Sequence, residues 1–96
     1  MEKYNKIYMF KPWRWYVYII ECNDGTYYTG RTWNVSIRYE QHLSGLGSAY
    51  TAIHGVKKLV YYEEHTDYQN ACEREKQIKN WSQEKKKRIL INKFKL

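Results

Sequence analysis

The chain has 96 residues, with 17 Lys or Arg against 10 Asp or Glu, for a net charge of +7. That length leads us to expect one domain with a modest core and no room for a second. Hydrophobic residues make up 43% of the chain, which argues against disorder, and the basic balance favours polyanionic partners, nucleic acid ahead of membrane surfaces.

Residues 1–13 lack a clear period and run through Lys11-Pro12, so they read as an extended arm ahead of a single domain over 14–96. They carry no signal-peptide core, and the apolar run Val17 to Ile20 is too short to span a membrane. Cys22 and Cys72 show neither CxxC spacing nor a His/Cys cluster. They read as buried thiols without zinc, in a reducing, cytoplasmic compartment.

Trp15 to Cys22 and Tyr27 to Thr32 are rich in β-branched and aromatic residues and flank a Gly-containing turn, the pattern of a β-hairpin. A two-residue Asp24-Gly25 loop would put Tyr18 and Tyr28 on opposite faces. A three-residue Asn23-Asp24-Gly25 loop, with Gly25 in the left-handed position of a bulge, pairs Cys22 with Thr26 and sets Tyr18 opposite Gly30. Tyr28 then lies diagonally beside Tyr18 on the same face. This register is preferred because it gives Gly30 a role: a strand glycine often marks close approach by another group, and here it would leave space over the sheet beside the Tyr18 ring.

Asn34 can cap a helix over Val35 to Leu43, with Val35, Tyr39 and Leu43 as its apolar stripe and Arg38 and His42 along one edge. Residues 44–48 read as a flexible Gly-containing loop. A third strand is expected over Lys58 to His65. Asp67 is the N-cap expected for a second helix reaching Trp81, and Ser82 for a third ending near Phe94. On the second helix Tyr68, Ala71, Cys72, Ile78 and Lys79 share one side, and Glu75 stands at its centre. A carboxylate facing a core is costly unless it is paired or bound to a cation. Two readings stay open for it: an ion pair with Lys79 or an arginine, or a ligand for a hard metal such as Mg²⁺. Arg38 suits a phosphate, and His42 suits accepting a proton or bonding a tyrosine hydroxyl. A tyrosine is a poor base near neutrality unless cations stabilise its phenolate.

Together these segments resemble the GIY-YIG nuclease family, and most of all its short single-domain bacterial members, from Trp15 to Ile91. Tyr16-Val17-Tyr18 and Tyr28-Thr29-Gly30 stand for the two naming motifs, with Arg31-Thr32 continuing the second. Arg38 and His42 match the Arg-x-x-x-His step. Gly45-x-Gly47 with Ala49-Tyr50-Thr51 matches a loop of the small members, and Ala71-x-x-x-Glu75-x-x-Ile78-Lys79 matches the segment with the metal-binding glutamate. Tyr16 and Thr29 replace a glycine and an isoleucine, Leu46 and Ala52 stand where basic residues are common, and Asn80 and Asn92 are candidates for a supporting asparagine.

The resemblance implies an α+β fold, a small three-stranded antiparallel sheet flanked by about three helices, with the site on one face of the sheet. It implies hydrolysis of phosphodiester bonds with one Mg²⁺ or Mn²⁺ on Glu75, Tyr18 or Tyr28 as base, Arg38 on the phosphate, and His42 orienting or deprotonating a tyrosine. Arg31, Lys57, Lys58, Lys79, Lys85, Lys86, Lys87 and Arg88 are candidates for contacting nucleic acid, DNA more than RNA, with affinity that falls steeply with salt. We expect a monomer that is structure-selective or brought to its substrate by a partner protein. The alternative is an adaptor domain that binds nucleic acid and cleaves little.

Overall fold

The computed structural model describes residues 14–94; the expected N-terminal arm, residues 1–13, lies outside them. Three strands, β1 (Trp15–Cys22), β2 (Tyr27–Thr32) and β3 (Val56–His65), form an antiparallel sheet in the order β2-β1-β3. The helices are α1 (Val35–Leu43), α2 (Ala49–His54), α3 (Tyr68–Lys79) and α4 (Gln83–Lys86), the last passing into a wider π-type turn, Lys87–Ile91. The α+β class and the three strands are as expected. The single C-terminal helix is instead a short α-helix plus that turn, and α2 was not anticipated.

The hairpin adopts the three-residue turn. Gly25 has φ +85°, its N–H bonds to the Cys22 carbonyl at 3.0 Å, and the Cys22 N–H bonds to the Thr26 carbonyl at 2.8 Å. Tyr18 therefore faces Gly30 and Ile20 faces Tyr28. Strand alternation then separates two cores. On one face Tyr16, Tyr18 and Ile20 pack with Val35, Tyr39 and Leu59. On the other Val17 and Ile19 pack with Tyr61, Ala71, Ile78, Leu90 and Ile91.

The helices start where short polar side chains replace the missing backbone partners. Asn34 accepts from the Ile37 N–H at 3.0 Å, Asp67 from Asn70 at 2.8 Å, and Ser48 and Ser82 cap α2 and α4 in the same way. Along α1 the buried stripe is Val35, Tyr39 and His42, and Leu43, expected inside, is 56% exposed. Cys22 is buried as expected, whereas Cys72 is only half-buried; both thiols are free.

β2 is an edge strand, and α4 covers the start of its outer rim. The Gln83 side-chain oxygen accepts from the Tyr27 N–H at 2.8 Å, and Lys86 Nζ donates to the Tyr27 carbonyl at 3.4 Å. Lys86 is thus drawn out of the basic run and buried, which removes it from the expected nucleic-acid contacts. Such rim coverage blunts edge-to-edge pairing. Among the described residues, no helix is long and apolar enough to cross a membrane.

Candidate active site

Tyr18 sits on the central strand and is 2% exposed. The space expected over Gly30 is filled by Tyr18 itself: a Cβ built on Gly30 would lie 2.4 Å from the Tyr18 hydroxyl oxygen, so only glycine lets the phenol lie across β2. The hydroxyl meets His42 Nε2 at 2.7 Å, and His42 Nδ1 meets Thr51 Oγ1 at 2.7 Å. Gly47 has the same role for the imidazole, since a Cβ there would come 2.4 Å from Nδ1. A neutral imidazole donates from one nitrogen and accepts at the other. We assign the proton to Nδ1, because Thr51 can donate its own O–H to the Ser48 carbonyl at 3.4 Å and accept from the imidazole. Nε2 then accepts the Tyr18 O–H. His42 is therefore buried and bonded through both ring nitrogens.

Burial, reinforced by the nearby Arg38 charge, holds the His42 pKa down to about 4. An exposed histidine titrates near 6.5. Between those values the unfolded chain takes up a proton that the native site refuses, so stability falls as pH drops through the window and levels off below it. The difference is about 3 kcal/mol. Urea unfolding at pH 7 and pH 4 should show wild type losing about 3 kcal/mol more than His42→Gln; equal losses would mean that His42 titrates alike in both states. Tyr18 is pushed far above the usual phenol range, first by burial and then by Tyr28, with Arg38 opposing. A free phenolate on Tyr18 is thus disfavoured, and its hydroxyl stays protonated, bonded to His42 Nε2.

Tyr28 lies half-buried beside this pair, its ring centroid 6.4 Å from Tyr18 and 5.2 Å from His42. Tyr50 packs against Tyr28 at 5.8 Å and stacks on His54 at 4.0 Å. Arg38 is half-buried and acts on both Tyr18 and His42 through its charge.

Glu75 is 6% exposed, but α3 packs on the opposite face of the sheet from Tyr18. The candidate site therefore does not lie on one face as expected. It straddles the β2 edge, and Lys79 links its halves, 3.0 Å from Glu75 Oε2 and 5.5 Å from the Tyr28 ring centre. Arg31 closes on Glu75 Oε1 through Nη1 and on the Tyr68 hydroxyl at 2.9 Å through Nη2. Both ion-pair partners that the sequence allowed Glu75, an arginine and Lys79, are present together. Arg31 and Lys79 thus join Glu75 in one charged cluster at the β2 edge.

The remaining basic candidates lie elsewhere. Lys57 and Lys58 are exposed on β3, with Lys57 3.8 Å from Glu21, while Lys85 lies over Trp81 and Lys87 and Arg88 are exposed. Asn80 is the exposed C-cap of α3 and Asn92 is exposed beyond the π-type turn. An open polar groove lined by His65, Asn70, Glu73, Arg74 and Gln77 lies at the β3 side, where Arg74 binds Glu63, and takes no part in this cluster.

Among the described residues no three His, Cys, Asp or Glu side chains gather as a metal cage. The donor chemistry still suits one Mg²⁺ or Mn²⁺, since such ions take one or two carboxylates and complete their shell with water and substrate phosphate. Each Glu75 oxygen carries one cationic partner, so an ion arriving there must share or displace Arg31 or Lys79. Sequence reasoning missed the roles of Thr51, Ser48, Gly47 and Tyr68; the serine N-cap ahead of Thr51 was the available signal.

A family model described as the GIY-YIG catalytic domain matches residues 14–88. A UPF0213 protein of Staphylococcus epidermidis is 39% identical over 75 residues, covering 78% of this chain and 92% of its own. A UPF0213 protein of Staphylococcus aureus matches to the same extent, 39% over 75 residues with 78% and 92% covered. The solution NMR structure of a UPF0213 protein from Bacillus halodurans superposes with a TM-score of 0.51 at 38% identity, covering 79% of this chain and 81% of that one. The chain belongs to the GIY-YIG family, alongside short bacterial UPF0213 proteins whose names assign no activity.

Proposed function

We propose that this protein is a metal-dependent nuclease that hydrolyses phosphodiester bonds in DNA. The observation that carries the reading is the buried Tyr18–His42–Thr51 chain, with bonds of 2.7 Å and 2.7 Å, set beside Arg38. A tyrosine that only fills the core does not require a histidine bonded at both ring nitrogens beside its hydroxyl.

In the proposed reaction a water approaches the phosphorus and gives its proton to the Tyr18 oxygen as the phenolic proton passes to His42 Nε2. The oxygen–phosphorus bond forms as the bond to the 3′ oxygen breaks; the leaving oxygen takes a proton from solvent, and His42, whose pKa is held low, returns its proton to solvent so that the site is reset. Arg38 neutralises the charge growing on the phosphate. Glu75 would hold one Mg²⁺ or Mn²⁺, which when bound supplies Lewis-acid polarisation of the phosphate and stabilisation of the leaving oxygen. The single carboxylate favours one ion over two. Tyr28, beside Lys79, positions the substrate at the β2 edge. Lys57, Lys58, Lys85, Lys87 and Arg88 would add backbone contacts without reading bases.

Labelled single-stranded, duplex, flapped and branched DNA, with RNA counterparts, test the reading in Mg²⁺ or Mn²⁺ against EDTA. Metal-dependent cleavage of at least one DNA form is expected. Binding of the panel without cleavage of any member would favour the adaptor alternative.

A further inference from the structure

The contacts around Glu75 carry an inference that rests on the nuclease reading and goes beyond it. Two cations face one carboxylate at this point, Arg31 on Oε1 and Lys79 on Oε2. The cluster already carries one net positive charge. A divalent ion arriving alone would raise it to three, within a few ångströms and partly shielded from water, where like charges repel strongly. A phosphodiester arriving alone meets a carboxylate that is already engaged. Each ligand therefore lacks what the other would bring.

Arg31 is built to exchange partners. Its side chain is 36% exposed, its planar fork has five donors, and its second nitrogen rests on the Tyr68 hydroxyl at 2.9 Å. That hydroxyl is a fixed perch, because the Tyr68 ring packs edge-on against Trp15 at 4.6 Å and under the guanidinium at 5.2 Å. A guanidinium that lets go of Glu75 can take a phosphate with the same fork. Lys79 stands between Glu75 and the Tyr28 ring, so a phosphate reaching the tyrosines meets it first.

We propose that Arg31 is an exchange residue that blocks Glu75 in the free protein and transfers to the scissile phosphate as the divalent ion takes the carboxylate. Metal and nucleic acid then load together. The free protein holds the ion weakly, bound DNA tightens it, and by thermodynamic reciprocity the ion tightens DNA by the same factor.

Mn²⁺ titration followed by electron paramagnetic resonance tests this, on the full chain alone and saturated with a phosphorothioate flap DNA that resists cleavage. Wild type should bind Mn²⁺ on the order of tenfold more tightly with the DNA than without it. Arg31→Gln should bind Mn²⁺ on the order of tenfold more tightly than wild type in the free state, and gain less from DNA. Lys79→Gln, at a more exposed side chain, carries the same prediction in smaller measure and serves if Arg31→Gln does not fold. Equal free-state affinity in wild type and these variants, or no effect of DNA on wild type, overturns the proposal. A Glu75→Gln control separates the two failures. Mn²⁺ binding that needs Glu75 but ignores Arg31 and Lys79 overturns the exchange alone, whereas binding indifferent to Glu75 overturns the metal-site reading as well.

Discussion

Tyr18→Phe is expected to lower kcat by about 10²–10⁴-fold, the usual contribution of a positioned acid–base group. The substitution removes one oxygen and leaves the ring lying across Gly30. It also leaves His42 Nε2 buried without its 2.7 Å partner, so stability should fall by about 1–3 kcal/mol. Tyr28→Phe provides the comparison. Tyr28 touches the His42 ring but does not bond its nitrogen in the hydrogen-bonded chain, so its loss should reduce turnover less. Steady-state kinetics on the best-cleaved substrate decide between them. A larger loss in Tyr28→Phe than in Tyr18→Phe would assign the base to Tyr28.

Glu75→Gln is expected to abolish Mg²⁺-dependent cleavage while nucleic-acid binding persists. Electrostatic help from a bound ion is worth several kcal/mol at the transition state, which corresponds to a loss of about 10²–10³-fold or more. In EDTA, binding should hold or tighten, because Arg31 and Lys79 are released from the carboxylate and face the phosphate unopposed. Stability should fall modestly, since both cations are substantially exposed and exposed pairs contribute about 1 kcal/mol or less. A purely structural Glu75 gives the other pattern, a lower melting temperature with no cleavage to lose. Thermal unfolding and filter binding on the same variant distinguish the two.

Much of the frame was legible because short-range chemistry fixes it. Asn23-Asp24-Gly25 sets the hairpin register, the register sets Tyr18 against Gly30, and Asn34 and Asp67 start their helices where their side chains can cap them. Tertiary packing decided the rest. Hydropathy placed Leu43 inside α1, yet the helix buries His42, because Tyr18 and Thr51 engage both ring nitrogens while Leu43 remains exposed. α2 has six residues and no apolar period, so the serine at its N-cap is its one local mark, and the Thr51 contact to His42 emerges only in the fold. A run of four basic residues on a helical turn cannot point all its members outward, and Lys86 points inward to the Tyr27 carbonyl. Glu75 was rightly out of place on its helix, but only the fold shows that it is joined to the Tyr28 side of the site through Lys79, around the β2 edge.

The most direct measurement is a Mg²⁺ titration of cleavage and binding on one labelled DNA, run side by side for wild type and Glu75→Gln. The nuclease account requires wild type to bind and to cut as Mg²⁺ rises, and Glu75→Gln to bind without cutting. Equal cleavage by the two proteins, or binding without cleavage by wild type across the full range of Mg²⁺ and substrate forms, would contradict it.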